Sequence, residues 1–324
     1  MIILGIESSC DETAAAVVED GRRVLSNVVS SQIDVHKKYG GVVPELAARH
    51  HVRNIVPVFK EAIEQAGIEL SDIDRVAVTN RPGLVGSLLV GVNFARTAAY
   101  ILKKPLFAVN HIEAHIYANF IQHPELTPPF LALVVSGGHT LLLMYRGPGD
   151  FDVLGTTVDD AVGEAYDKVA KLLGLGYPGG PEIDRIYKEM GENDIMFPRP
   201  KVRNNALNFS FSGLKTAVRV FFQKNPDVPK THIAAAFQSA AIDSLIQKTK
   251  RAITATGAKK IVLAGGVSAN SLLRRRVEEL GVPYYYPSIE LCTDNAAMVA
   301  AAAFFMPTED DVFSVDAIPN LKIK

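Results

Sequence analysis

Residues 2–29 read IILGIESSCDETAAAVVEDGRRVLSNVV, and residues 130–157 read FLALVVSGGHTLLLMYRGPGDFDVLGTT. Each stretch holds three short apolar runs parted by polar or glycine-rich turns. That pattern predicts an antiparallel meander of three strands. The runs are Ile2–Ile6, Thr13–Val18 and Val24–Val29 in the first, and Phe130–Val135, Thr140–Tyr145 and Phe151–Thr157 in the second. A meander that occurs twice raises the question whether the rest of the plan repeats.

It does. After the first meander, Leu46, Val52, Ile55, Val56, Phe59 and Ile63 recur at helical spacing between Glu45 and Ala66, with Pro57 expected to kink the helix. Strand Arg75–Thr79, a Gly83–Gly86 turn, a helix to Leu102, strand Leu106–Val109 and helix His111–Phe120 follow. After the second meander come strand Lys260–Leu263, the turn Gly265–Asn270, helix Ser271–Leu280, strand Val282–Tyr286 and helix Thr293–Phe304. The second copy carries a mostly helical insertion, about 160–257. Simple alternation of strands and helices would suit any α/β protein, but here the glycine turns also fall at matching places. We therefore expect a duplicated α/β fold, with an N-terminal lobe over 1–128 and a C-terminal lobe over 129–324. The loops at the carboxyl ends of the strands would line a central cleft. This plan resembles the acetate kinase–Hsp70–actin superfamily (the ASKHA fold).

Composition fits a folded chain. Of 324 residues, 48% are hydrophobic and 21% charged, which excludes disorder, collagen and coiled coil. With 34 Lys and Arg against 35 Asp and Glu, the net charge of −1 provides no global basic field for nucleic acid, so any RNA contact must come from local patches or a partner. Basic clusters stand at Lys37–Lys38, Arg49–Arg53, Lys103–Lys104, Arg199–Arg203 and Arg274–Arg276, and most such clusters are solvated faces. Two cysteines exclude a disulfide scaffold. The N-terminus has no basic segment before its apolar run, which ends at Ile6, so a signal peptide is not expected. Leu84–Leu102 is broken by Asn93 and Arg96, and no membrane span is expected there. The expected location is the cytoplasm.

Three constellations can carry chemistry. His111 and His115 lie four apart on a predicted helix, so both imidazoles can reach one cation. Glu113 is not placed as in HExxH, which argues against a zincin protease. The equivalent place in the second copy is Cys292-Thr-Asp294-Asn295, which would set Asp294 across the cleft from the histidines. Two His and one carboxylate leave positions open for substrate and suit Fe(II) or Zn(II). The alternatives are two chance surface histidines and a helix cap formed by Thr293 or Asp294. The second constellation is the set of turns Ser136–Thr140, Tyr177–Pro181 and Gly265–Asn270. Their glycines allow backbone N–H groups to approach phosphate or ribose oxygens. Asp167, Asp184 and Asn270 are candidates to hold ribose hydroxyls. Each turn alone could be a plain turn, and each acid a solvated helix face. The third is Glu7-Ser-Ser-Cys-Asp-Glu-Thr13, a polar hairpin that is either at the mouth of the cleft or merely exposed.

Nine blocks run in order through nearly the whole chain: GIESSCDETAAAVV, YGGVVPELAARHH, PGLVGSLLVG, NHIEAH, LVVSGGHT, VDDAVGEAYDKVAKLLGLGYPGGP, FSFSGLKTA, AGGVSAN and CTDNAAM. Together they closely resemble the bacterial TsaD family, formerly called glycoproteases. The resemblance implies a tRNA N6-adenosine threonylcarbamoyltransferase, which moves the threonylcarbamoyl group from threonylcarbamoyl-AMP to N6 of adenosine 37 in tRNAs reading ANN codons. It implies one divalent metal, Fe(2+) ahead of Zn(2+), on His111, His115 and Asp294. It places substrate contacts on Val134, Val135, Ser136, Gly137, Gly138, Asp167, Gly180, Asp184 and Asn270, and the transfer step on the turn with Cys10, Asp11 and Glu12. The partners it implies are tRNA, the paralogue TsaB and the ATPase TsaE, with TsaC-type enzymes supplying the donor. A joint surface with partners would explain a neutral chain that acts on tRNA. The rival classes are a metalloprotease, an ATP-dependent small-molecule kinase of the same fold, and a non-catalytic scaffold. An intact His-His-Asp set argues against the last.

Overall fold

In a computed structural model, which describes residues 1–200, 202, 205–307 and 309–320, the opening stretch forms the expected meander. Strands β1 (Ile2–Glu7), β2 (Glu12–Glu19) and β3 (Arg23–Ser31) pair antiparallel in turn. Next come α1 (Ile33–Lys37), α2 (Pro44–Ala66), β4 (Arg75–Arg81), α3 (Val85–Leu102), β5 (Leu106–Asn110) and α4 (His111–Gln122). The sheet order is β3-β2-β1-β4-β5, with β1 parallel to β4 and β4 parallel to β5. Helix α2 runs unbroken through Pro57, which lies on its exposed side. Water there can serve the carbonyl that a proline cannot bond.

The second meander is β6 (Phe130–Val135), β7 (Thr140–Gly147) and β8 (Asp150–Thr156). The helical insertion follows as α5 (Val162–Leu173), α6 (Gly179–Met190), α7 (Ser212–Lys224) and α8 (Lys230–Thr256). Then come β9 (Ile261–Ala264), α9 (Ser271–Glu278), β10 (Tyr284–Tyr285), α10 (Ile289–Cys292) and α11 (Ala296–Phe305). The second sheet, β8-β7-β6-β9-β10, repeats the first strand for strand, with the opening strand of each meander at its centre.

The chain divides into two compact units, but not where the sequence suggested. The first unit joins Met1–Leu126 to Pro287–Lys324, and the second is Thr127–Tyr286. The last 38 or so residues of the expected 129–324 lobe thus belong with the first unit. The reason is in α11, whose sequence AAMVAAAAFF is apolar all round and must therefore be enclosed. Along β1, Leu4 and Ile6 join Ile55, Val58 and Ala62 of α2 and Val92, Ala95 and Ala99 of α3 in one core. The alternate residues Ile3, Gly5 and Glu7 face the other side of the sheet. There α11 packs on β1, β2, β4 and β5 and against α4. Beyond it, Asp310 pairs with Leu106 at the edge strand and accepts the Ala108 N–H on its carboxylate at 2.8 Å.

In the second unit, Leu131, Leu133 and Val135 of β6 and Ile261 and Leu263 of β9 pack with Val162, Tyr166 and Val169 of α5 and Phe237 and Leu245 of α8. Strand β10 is shorter than the predicted Val282–Tyr286. Helix α3 is long and apolar enough to cross a membrane by composition alone, but its buried side packs on β4 and α2. Of the basic cluster Arg199–Arg203, Lys201 and Arg203 lie outside the described residues.

Candidate functional site

Asn110 closes β5 and caps α4, its side-chain oxygen accepting the N–H groups of Ile112 at 2.9 Å and Glu113 at 3.3 Å. That cap starts the helix at His111, so His115 falls one turn on, on the same side. The expected helix Thr293–Phe304 starts three residues later, as α11 at Ala296. Its N-cap is Asn295, which accepts the Met298 N–H at 3.0 Å, so neither Thr293 nor Asp294 caps it. Asn295 also donates to the Thr293 carbonyl at 2.8 Å and so fixes the peptide that carries Asp294. The Asp294 carboxylate stands just before the positive end of α11, where a negative charge is favoured.

His111, His115 and Asp294 converge, each offering a ligand atom within 4.8 Å of the others. Asp294 Oδ1 lies 3.5 Å from His111 Nε2 and 3.2 Å from His115 Nε2. His115 is 1% exposed, and neither ring nitrogen makes a hydrogen bond among the described residues. Buried imidazole nitrogens without such partners are rare unless something else occupies them. The donor set therefore fits a divalent cation with positions left open. All three residues come from the first unit, which corrects the expectation that Asp294 would reach the histidines from a second lobe.

Glu7, at the end of β1 on the α11 side, has no exposed surface. Its Oε2 lies 3.1 Å from His111 Nδ1 and accepts the Thr79 hydroxyl at 2.6 Å, and its Oε1 accepts the Ser9 N–H at 2.6 Å. Burial works to raise this carboxyl, but the charge of His111 and its hydrogen bond hold it below the ordinary range. Burial likewise works to lower His111, but Asp294 and Glu7 outweigh it and raise its pKa to about 9 in the metal-free protein.

The polar turn after β1 lies in the same unit. Asp11 is buried, and Glu12 and Cys10 are partly so. Burial, then Asp11 and Asp294, push the Glu12 carboxyl well above its usual value. The same influences push the Cys10 thiol up, so it is not a thiolate near neutrality. What Cys10 supplies is its carbonyl, which accepts from His51 Nε2 at 3.0 Å and from the Ser87 hydroxyl at 3.2 Å. The other His51 nitrogen meets the Thr13 hydroxyl at 2.7 Å, so the turn is pinned to α2 at both ends.

The glycine turns lie in the second unit. Val134 and Val135 are fully buried at the end of β6, and Ser136 follows in a tight turn closed by His139. A side chain at Gly163 would come within 2.5 Å of the Ser136 carbonyl, and one at Gly265 within 2.5 Å of the Val135 carbonyl, so neighbouring elements press directly on this turn. Gly137, Gly138, Gly180 and Gly266 differ. They have no positive φ, and an added methyl would meet nothing within 4 Å among the described residues. Neither strain nor packing requires glycine there, whereas close approach of a ligand to the backbone would. Asp167 accepts the Gly179 N–H at 2.7 Å and holds the start of α6. Asp184 accepts from the Ser271 hydroxyl at 2.7 Å and from Gln238 at 2.9 Å, and Gln238 in turn accepts from Asn270 at 3.0 Å. The structure thus brings Asp184 and Asn270 into one network through Gln238.

Sequence reasoning left Glu7, His51, Thr79 and Gln238 out of its site residues. The alternation of β1 carried a signal for Glu7, since it shares a face with Ile3 and Gly5. Gln238 stood out only as a polar residue in the apolar run Ala234–Ala241.

A family model described as "TsaD: tRNA N6-adenosine threonylcarbamoyltransferase" matches residues 23–301. Relatives carrying that same name include one from Thermosipho africanus, 53% identical over all of both chains, and one from Clostridium novyi, 52% identical over 99% of this chain and 97% of its own. Among solved structures, component A of (R)-2-hydroxyglutaryl-CoA dehydratase from Acidaminococcus fermentans aligns at a TM-score of 0.56 and 15% identity, over 94% of this chain and 98% of that one. HypF from T. kodakarensis aligns at 0.62 and 15% identity, over 94% of this chain but 47% of its own. At such identities these two show the fold alone, a duplicated actin-like α/β architecture.

Proposed function

The chain belongs to the TsaD family of tRNA N6-adenosine threonylcarbamoyltransferases, and from that premise we propose how its residues divide the reaction. It is a transferase of tRNA threonylcarbamoyladenosine biosynthesis. The donor in this reading is threonylcarbamoyl-AMP, and the acceptor is N6 of adenosine 37 in ANN-decoding tRNAs. The donor is already activated, since AMP is a good leaving group, so no kinase step is needed. The open backbone at Gly137, Gly138, Gly180 and Gly266 serves the nucleotide part, with Val134, Val135 and Ser136 shaping the turn. Asp167, Asp184 and Asn270 serve the ribose.

His111, His115 and Asp294 would hold one divalent metal, with Fe(2+) ahead of Zn(2+). When bound, it supplies Lewis-acid neutralisation of charge on the threonylcarbamoyl part. Adenosine 37 must leave its stack to present its amine. The amine nitrogen bonds to the carbamoyl carbon, the bond to the AMP oxygen breaks, and AMP leaves. Asp11 positions that amine or accepts its proton, beside Glu12 in the turn that Cys10 and His51 hold. Reaction takes place in the cytoplasm with TsaB and TsaE as partners. Support for a protein partner comes from α3, which leaves Val85, Leu89, Tyr100 and Ile101 exposed.

The observation that carries this reading is the group of two buried histidines and the partly exposed Asp294, within a chain matched end to end by relatives of the family. The test supplies threonylcarbamoyl-AMP, tRNA and partner proteins and measures the modified nucleoside by mass spectrometry. Wild-type protein forms it and His111→Ala does not. Equal yields from both would refute the metal role, and no product from the wild type would refute the donor.

A further inference from the structure

The geometry points to Glu7 as the positioning residue of the metal site, a role that rests on the metal reading above. Three observations carry it. First, Glu7 is a fully buried carboxylate whose ion-pair partner among the described residues is His111, with no Lys or Arg beside it. Burying a charge with so little compensation is unfavourable unless its field is used. Second, its bonds come from three different elements. Ser9 in the turn fixes Oε1, while Thr79 on β4 and His111 on α4 share Oε2. The carboxylate is therefore held in place before any metal arrives.

Third, it addresses the correct nitrogen. His111 Nδ1 faces Glu7 at 3.1 Å, while Nε2 faces Asp294 at 3.5 Å. An Nδ1–H donated to Glu7 leaves the Nε2 lone pair for the cation, and a carboxylate partner makes the imidazole a stronger ligand. The Ser9 hydroxyl, 3.1 Å from the same Nδ1, backs this orientation. Glu7 and Asp294 together also bring two negative charges to a site of two neutral imidazoles, so that a dication makes the buried group neutral. His115 has no hydrogen-bonded partner of this kind among the described residues, so the orienting task falls on the His111 side.

Glu7→Gln keeps the size of the side chain but offers an amide N–H where His111 needs an acceptor. It thereby favours the tautomer with its proton on Nε2, toward the cation. The experiment measures Zn(II) and Fe(II) dissociation constants of the full chain by chelator competition. It compares wild type, Glu7→Gln, Thr79→Val and His115→Ala, with thermal melting of each metal-free protein. Glu7→Gln should weaken binding by about 10–100-fold while the metal-free protein melts no lower than wild type. Thr79→Val, which loosens Glu7 without removing it, should weaken binding by less. In the Zn(II)-loaded protein with 15N-labelled histidine, a protected His111 Nδ1 proton should be present in wild type and lost in Glu7→Gln. A merely structural Glu7 would change melting and leave that proton signal unmoved. Wild-type affinity in Glu7→Gln, with binding abolished in His115→Ala, overturns the proposal and spares the metal reading. Absence of metal binding in the wild type overturns both.

Discussion

The seat of α11, and with it the place of Asp294, rests on a residue without a side chain about 7 Å of strand from Glu7, and Gly5→Ala tests it. Gly5 sits in β1 opposite Ala16 of β2 and Ala77 of β4, a row of small residues. Its φ is ordinary, so its conformation does not demand glycine. Its packing does. A methyl there would lie 2.3 Å from the Ala296 carbonyl and 2.9 Å from the Ala300 nitrogen, both backbone atoms of α11. An unstrained carbon–oxygen contact is about 3.3 Å, so α11 must retreat by roughly 1 Å. Ala296 is two residues from Asp294, and well-formed metal sites keep ligand distances within about 0.2 Å of their standard values. Overpacking of this kind costs about 1–3 kcal/mol, at about 2–4 °C of melting temperature per kcal/mol in a domain of this size. The expected result is a loss of several degrees together with metal binding at least about tenfold weaker. Gly67→Ala is the matched control. Gly67 has φ +64, and an added methyl would meet nothing within 4 Å among the described residues, so alanine there adds backbone strain without touching α11. It should lower the melting temperature and leave metal affinity alone. If Gly5→Ala melts lower but binds metal as the wild type does, the close seat of α11 does not set the ligand geometry. If it melts as the wild type does, the close contact itself is wrong.

Metal binding should also depend on pH. His111 is raised to about 9 in the metal-free protein, and a proton on it competes with the cation. Apparent affinity should therefore rise about tenfold per pH unit up to about pH 9, roughly 100-fold between pH 7 and 9, and then level off. In the metal-free protein the sign is opposite. The stabilisation from His111 is full below its unfolded value near 6.5 and fades as pH rises through about 9, which thermal melting across that window can follow. Gly163→Ala drives a methyl into the Ser136–Gly137 turn, so AMP affinity by calorimetry should fall about tenfold while zinc affinity holds. Asp184→Ala removes the acceptor of Ser271 and Gln238 and should destabilise the protein by about 2–3 kcal/mol in urea titration. Cys10→Ala keeps the carbonyl that holds His51, so transfer should continue near the wild-type rate, and a large loss would return a role to the thiol.

Local pattern carried far in this chain. Both meanders, the β4 and β5 strands, the helical insertion and the HxxxH helix all lie where periodicity and turn residues placed them, because each records which face of a strand or helix is buried. The histidine pair was legible for the same reason, since positions four apart share a helical face. Periodicity failed where partners are distant in sequence. The expected helix Thr293–Phe304 reads as the closing helix of the second copy, since nothing local says which sheet an all-apolar helix will cover. Asp294 does meet the two histidines, but from within the first unit. Its reach to the histidines comes from α11 lying on the first sheet and from Asn295 capping that helix.

The duplicated α/β plan, the family and the candidates His111, His115 and Asp294 are legible in the chain alone, because they are written in local alternation and in ordered motifs. Packing alone sets His111, His115 and Asp294 in one unit, puts Glu7 behind His111, and joins Asp184 to Asn270 through Gln238. Those facts depend on close approaches between elements far apart in the chain. Such approaches are set by the volume left at positions like Gly5 and Gly163, and by the need of every buried polar atom to find a partner.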